Sequence, residues 1–489
     1  MKAEGRYLAK NSLALIISGG YTIIISVAFV PLLVRYLGRE GYGVYSQVYS
    51  FVQLFGVLGH FGTNAILTRE VARDNGNAPS LLGRVITLRV GMSSVFLGAL
   101  AVAALVYPFS PQSELLLVLC ALESVTRNIA SIAVAIFRAF EVMEYELLST
   151  FVDRTLWVIG VVVVIAANLG LTAVFVVFLV AAIVQLLIAF GVCFRRLARP
   201  HLGIDLAVWK ALLREAWPIG VTQGSRHAHE RVGIVQLAAT VGAGEVGLFS
   251  GANRILQLTY NLTTSISTAM YPAMSASVVQ EGDRLHRLVS IGLRTLLLVT
   301  LPVAALFLFF AHWFVPWLLG AEFREAALAL QILAPAVVLV SINVLLSDLL
   351  RACGRQRYEL LCVVVTLAGN LGLNLLLIPR LGYVGPAVAI LVSQSLQSVL
   401  ALAGVLPALG RLPAANKLLV PPIATLAMAG AWWLAHPLPL VIRLISGPVV
   451  YVAALILLGG IDRSAVHLFR SMLNLRSVLG QREIEGDMP

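Results

Sequence analysis

From Asn11 onward the chain alternates long apolar runs with short polar connections. Each run is about 20 residues, the length an α-helix needs to cross roughly 30 Å of hydrocarbon, and the pattern predicts about fourteen membrane spans. The first runs from Asn11 to Arg35 and the last from Leu440 to Gly459. The thinnest are the polar segments around Arg226 and Arg254 and the Pro-rich one starting at Pro421. Two spans carry polar stripes. In the second, near Gly43 to Thr68, residues Ser46, Ser50, Gln53, His60, Asn64 and Thr68 fall within an arc of about 80° on a continuous helix. In the eighth, near Val246 to Tyr271, residues Ser250, Asn253, Arg254, Gln257, Tyr260, Asn261, Thr264 and Thr268 fall within about 120°. Polar faces on membrane helices bond to neighbours or meet water, and this mixture of Arg, His, Gln and Asn points to a hydrated cavity.

The stripes coincide because the chain repeats. Gly38 to Ser46 (GREGYGVYS) returns at Gly242 to Ser250 (GAGEVGLFS), and Arg138 to Leu148 (RAFEVMEYELL) returns at Arg351 to Leu361 (RACGRQRYELL). Along the same register Leu88-Arg89 falls on Leu293-Arg294, Leu169-Gly170 on Leu381-Gly382, and Gln185 on Gln397. The repeat predicts an all-α bundle of two six-helix lobes around a central cavity, with two further C-terminal helices. Six spans is an even number, so the copies keep one membrane orientation and are related by a pseudo-two-fold along the membrane normal. The expected divisions are an N-lobe at 1–200, a linker at 201–216, a C-lobe at 217–410, and the last two spans with a cytoplasmic tail at 411–489. The linker has Leu202, Leu206, Trp209, Leu213 and Ala216 interleaved with Lys210 and Arg214, and reads as an amphipathic helix lying on the membrane surface.

Charge sets orientation. With fourteen spans, Lys and Arg crowd the connections on one side, from Arg69 and Arg84 through Arg195, Arg196 and Arg199 to Arg411 and Lys417; the other side receives Arg35, Arg39, Arg324, Arg380 and Arg443. Both termini are therefore expected in the cytoplasm. Most of the net charge of +11 is topological, which argues against nucleic acid as a partner. A 59% hydrophobic, 12% charged composition over 489 residues, with mean hydropathy +0.91, excludes a water-exposed globule. Cys120, Cys193, Cys353 and Cys362 form no Cys-x-x-Cys pair and read as small buried residues. His227 and His229 point about 160° apart on a helix, so no metal site is expected.

Charges at membrane depth carry the candidate chemistry. The seventh span places Gln223, Arg226, His227, Glu230 and Arg231 inside an arc of about 140°. Glu230 is spaced to pair with Arg226 or His227, which leaves Arg231 over. Arg254 and Arg127 add charge in the eighth and fourth spans, although Glu123 is spaced to pair with Arg127. Arg89 and Arg294 lie near span ends and are expected to snorkel to the interface. An excess of guanidinium over carboxylate argues for an anionic substrate, since paired N–H donors suit phosphate oxygens. The candidate binding residues are Arg231, Arg254, Arg226, Arg127, Gln53, His60, Asn64, Asn253, Gln257 and Asn261. Glu230, His227, Glu123 and Asp348 are candidates for coupling to a proton or sodium gradient, with ion pairing as the alternative role.

The run Phe29 to Ser46 (FVPLLVRYLGREGYGVYS), the later Phe137 to Leu148 (FRAFEVMEYELL), the duplicated lobes and the two extra spans resemble the Wzx-type polysaccharide-transporter branch of the multidrug/oligosaccharidyl-lipid/polysaccharide exporter superfamily. The resemblance implies a flippase of the bacterial or archaeal cytoplasmic membrane. It implies a polyprenyl-diphosphate-linked oligosaccharide as cargo, carried from the cytoplasmic to the outer leaflet by alternating access. Membrane lipids and glycan polymerase machinery are the further partners it suggests. No cofactor is expected, and a monomer suffices because one chain supplies both lobes. The related lipid II flippases keep essential arginines in the first span, where this chain has none between Asn11 and Arg35. Drug exporters of the superfamily bind cations through intramembrane acids, unlike this arginine-rich interior. A membrane glycan polymerase or glycosyltransferase is the rival class. Against it, the outer connections, such as Tyr107 to Glu114 and Trp317 to Arg324, are short and lack paired acids, and no Gly-x-x-x-x-Gly-Lys-(Ser/Thr) loop occurs for ATP hydrolysis.

Overall fold

The computed structural model describes residues 2–107, 109, 111–279, 282–410 and 418–459. Among the described residues the regular structure is helical, as an apolar solvent requires when every backbone N–H and C=O must find a partner within its own segment. Ten helical segments among the described residues are long and apolar enough to cross a membrane. One of them, Phe29–Arg73, takes in the end of the first expected span with the whole of the second, and the three thin segments of the sequence lie outside the set: two are long helices with polar faces, and Val420–Leu434 is short.

The chain runs through α1 (Lys2–Gly56), α2 (Thr63–Arg73), α3 (Ala78–Val106), α4 (Pro111–Ala139), α5 (Met143–Ala166), α6 (Gly170–Arg196) and α7 (Leu206–Thr240). It continues with α8 (Ala243–Val279), α9 (Gly282–Leu319), α10 (Ala326–Ala352), α11 (Gln356–Leu381), α12 (Val384–Leu409), α13 (Val420–Leu434) and α14 (Leu440–Leu457). Helix α1 holds the first span and the start of the second, joined at Gly38, whose φ of 66° only glycine adopts readily. Residues up to Gly247 form one compact unit, and those from Leu248 a second.

In the first unit an apolar cluster of Leu67, Leu82, Ile132, Ile136, Phe137, Leu212 and Ala216 ties α2, α3 and α4 to the beginning of α7. A second cluster, built on Val48, Phe51, Phe96, Leu117 and Phe175, draws in Val235 from the far end of α7. Tyr107 fixes that end by donating its hydroxyl to the Val235 carbonyl at 2.8 Å. The linker at 201–216 is not a helix of its own. Its residues from Leu206 are the first turns of α7, capped by the Asp205 carboxylate, which accepts from the Ala207 and Val208 N–H groups at 3.1 Å. Arg69 pairs with Glu215, and the Thr87 hydroxyl bonds the Gly203 carbonyl at 2.9 Å.

The second unit packs Met270, Met274, Leu285, Leu345, Leu349, Ala401 and Val405 between α8, α9, α10 and α12. The two extra helices dock on α9 through Phe310, Trp432, Tyr451 and Leu455. Tyr451 anchors them by donating to the Leu298 carbonyl at 2.8 Å.

The duplicated motifs have physical counterparts. Arg138 clasps Glu146 with two hydrogen bonds of 2.9 and 2.6 Å, closing the turn between α4 and α5. At the repeat-equivalent turn between α10 and α11, Arg351 meets Glu359 at 3.4 Å. The two copies of the glycine motif touch inside the first unit. A Cβ on Gly43 would strike the Ala243 carbonyl, and one on Gly247 would strike the Arg39 carbonyl. Arg39 reaches over this crossing to the Gly244 carbonyl at 3.2 Å and to Glu245 at 3.4 Å.

Two sequence expectations are corrected. The second span is not one helix: after Gly56 come a 3-10 turn at Val57–Gly59 and two left-handed residues, Phe61 (φ 39°) and Gly62 (φ 75°), before α2 begins. The polar stripe from Ser46 to Thr68 consequently does not form one continuous helical face. Arg89 and Arg294 do not snorkel either, since they are 1% and 9% exposed.

Candidate functional site

The break in the second span is locked in place by α7. Glycines at 220 and 224 leave notches on that helix: Phe61 fills the first, with ring atoms 2.8 Å from where a Gly220 Cβ would be, and Val57 fills the second at 3.0 Å. Trp217 adds an aromatic contact to Phe61, with ring centroids 6.2 Å apart. His60 is thereby held half-buried in the field of Arg89 and His227. Asn64 follows one turn on, donating to the Ser131 hydroxyl at 3.0 Å and accepting from Arg89 at 2.7 Å. Gln53, half-buried, closes the preceding turn of α1.

The arginines divide by their partners. Arg127 on α4 is neutralised: it pairs with Glu123, donates to Asp153 on α5 at 3.0 Å, and donates to Gln185 on α6 at 3.1 Å. Glu123 and Asp153 are 5% and 1% exposed, so this is a buried network that ties three helices. Arg231 on α7 is different. Its guanidinium carbon lies 5.4 Å from the centre of the Tyr49 ring, and its Nε is buried without a hydrogen-bond partner. A ring face attracts the cation yet accepts no strong hydrogen bond, which leaves the N–H groups available. Tyr49 stands in turn within electrostatic reach of Glu123, Arg127 and Arg231. Arg226 and Glu230 are half-buried on α7, and His227 is exposed.

In the second unit Arg254 on α8 donates to Gln257 at 3.4 Å, a long contact, and its Nε too is buried without a partner. Asn253 beside it is 5% exposed. The side chain of Asn261 lies outside the described residues. Asp348 on α10 accepts from the Ser267 hydroxyl on α8 and from Arg351, so it bridges two helices and is already engaged.

Arg231, Tyr49, His60, Asn64, Gln53 and the Arg127 network all belong to the first unit, and Arg254, Asn253, Gln257 and Asp348 to the second. Sequence reasoning missed Tyr49, whose role as a ring under a cation no helical spacing reveals. It also missed Asn128 on α4, whose carbonyl accepts from Arg89 at 3.2 Å. The repetition of Arg89 as Arg294 at a fixed shift was the available signal for burial, because a snorkelling residue need not recur.

Comparison with known proteins agrees with this architecture. The family model described as polysaccharide biosynthesis protein matches residues 8–278, and that of the lipid II flippase MurJ matches residues 154–440. A relative from Haloferax volcanii, the "Probable low-salt glycan biosynthesis flippase Agl15", is 21% identical over 398 residues, covering 80% of this chain and 82% of its own. Among solved structures, the lipid II flippase MurJ in an inward closed conformation superposes with a TM-score of 0.73 at 16% identity, covering 95% of this chain and 99% of that one. An inward-facing multidrug resistance MATE family transporter gives 0.65 at 16% identity, covering 82% and 97%. At such identities the superpositions establish the fold. With the family model spanning more than half of its length, this multi-pass membrane chain belongs to the polysaccharide biosynthesis protein family, among the flippases of the multidrug/oligosaccharidyl-lipid/polysaccharide superfamily.

Proposed function

We propose that the chain carries a polyprenyl-diphosphate-linked oligosaccharide from the cytoplasmic to the outer leaflet by alternating access. The observation that carries this reading is Arg231: a half-buried cation, held over a ring instead of a carboxylate, with an N–H donor lacking an acceptor. A guanidinium at membrane depth is too costly to keep without an anionic partner or water, and an anionic cargo supplies the partner. In the second unit Arg254 likewise keeps a buried Nε without a partner and makes a long amide contact. On this reading Arg231 and Arg254 take phosphate oxygens, while Gln53, His60, Asn64, Asn253, Gln257 and Asn261 contact sugar hydroxyls. Arg226 supplements them. Arg127 serves the fold, since two carboxylates already neutralise it.

Coupling to a proton or sodium gradient falls to Glu230 and His227, with Glu123 and Asp348 engaged in ion pairs at rest. The chain needs no cofactor, acts as a monomer with both termini in the cytoplasm, and hands its cargo to polymerase machinery outside. Lipid II is disfavoured as cargo because the span from Asn11 to Arg35 lacks internal arginine.

The test is leaflet-resolved measurement of lipid-linked oligosaccharide in cells depleted of the protein. The expected result is accumulation on the cytoplasmic leaflet, relieved by wild type and not by the Arg231→Ala/Arg254→Ala double variant expressed at the same level. Normal translocation with missing polymer would instead identify a glycan polymerase.

A further inference from the structure

We infer that the break in the second span is an anion subsite whose charge comes from Arg89. The inference rests on the flippase reading and moves His60 and Asn64 from the sugar to the diphosphate.

Arg89 is 1% exposed on α3. Its acceptors are the Asn128 carbonyl at 3.2 Å, the Thr63 hydroxyl at 2.7 Å and the Asn64 amide oxygen at 2.7 Å. All three are neutral. Arg127, Arg138 and Arg351 each touch at least one carboxylate, so Arg89 stands apart as a deeply buried cation with uncharged partners. In a low-dielectric interior such a charge is strongly disfavoured unless something completes it.

Two donors of this hydrogen-bonded pair, Arg89 and Asn128, lack acceptors. The Nε of Arg89 and the Nδ2 of Asn128 are buried with no hydrogen-bond partner. Helix α2 starts at Thr63, so the positive end of its dipole lies there as well. The rim is reachable, since His60, Asn64 and Asn128 are half-buried and His227 is exposed. The left-handed pair Phe61-Gly62, with Phe61 seated in the Gly220 notch of α7, holds the helix start in position. Sugar hydroxyls would be served by neutral amides alone. A buried cation, unpaired N–H donors and a helix start answer a phosphate-type anion.

Purified full-length protein in phosphatidylcholine nanodiscs tests this, with farnesyl diphosphate, inorganic diphosphate and farnesol as probes. The decisive variant is Asn64→Asp, nearly isosteric, which sets a carboxylate against Arg89 and neutralises it while strengthening the local contact. Expected are an equal or higher melting temperature, a loss of at least about tenfold in farnesyl diphosphate affinity, and unchanged farnesol binding. A purely structural Arg89 would leave diphosphate affinity at the wild-type value, and that result overturns the subsite. If Asn64→Asp does not assemble, His60→Asp brings the same charge to a half-exposed position and must lower diphosphate affinity likewise. Inorganic diphosphate binding as tightly as the farnesyl ester would refute the assignment to a lipid-linked group. Failure of the underlying flippase reading looks different: wild type would not distinguish farnesyl diphosphate from farnesol, and Arg231→Ala would change neither.

Discussion

Arginines within the helical bundle do different work according to what meets their guanidinium. Arg127 is surrounded by Glu123, Asp153 and Gln185, and removing it strands two buried carboxylates. Arg127→Met is therefore expected to destabilise the protein by about 3–5 kcal/mol, seen as a large fall in the detergent-solubilised melting temperature. Arg231→Ala removes a cation from a ring and should cost less than about 2 kcal/mol while abolishing transport. Equal melting losses in the two variants would refute this division. The pairing of Arg127 with Glu123 was legible from the sequence because the partners share one helix. Asp153 and Gln185 were not, because nothing local says which faces of α5 and α6 turn toward α4. Arg89 was misread for a related reason: its distance from a span end suggested an interfacial position, but the broken helix packs against it and leaves it 1% exposed.

At the scale of elements, apolar periodicity located the spans and failed where glycine interrupts them. The second span reads as continuous in hydropathy, yet Gly56, Gly59 and Gly62 cluster within two turns, and the chain uses them to leave the helix. Gly62 combines a φ of 75° with Ile219 at 3.0 Å from a would-be Cβ. Gly62→Ala should accordingly cost about 1–2 kcal/mol from the left-handed conformation, with further loss from crowding against α7. Thermal melts check the first part, and an unchanged melting temperature would mean that the break is not enforced by this residue. The linker shows the opposite error. Its amphipathic pattern is real, but Leu212 and Ala216 pack against α2, α3 and α4, so Leu206 to Ala216 run on without a break into α7 instead of forming a helix of their own.

For the molecule as a whole, the repeat was readable because two short motifs recur, and the structure gives each a mechanical reason. The Arg138–Glu146 clasp and its Arg351–Glu359 counterpart close equivalent turns. At the other motif, Gly43 faces Ala243 while Gly247 faces Arg39, so each copy presents the same position to the same position of its twin. Gly43→Val and Gly247→Val should thus lower stability and transport to similar extents. The double variant should fall well short of the sum, because the first valine already parts the backbones that the second would strike. Full additivity in melting temperature would show that the two glycines act independently. A surface that is complementary to itself about a two-fold is also how two identical subunits join. The Gly43–Gly247 crossing has that same form within one chain, glycine against backbone in both directions.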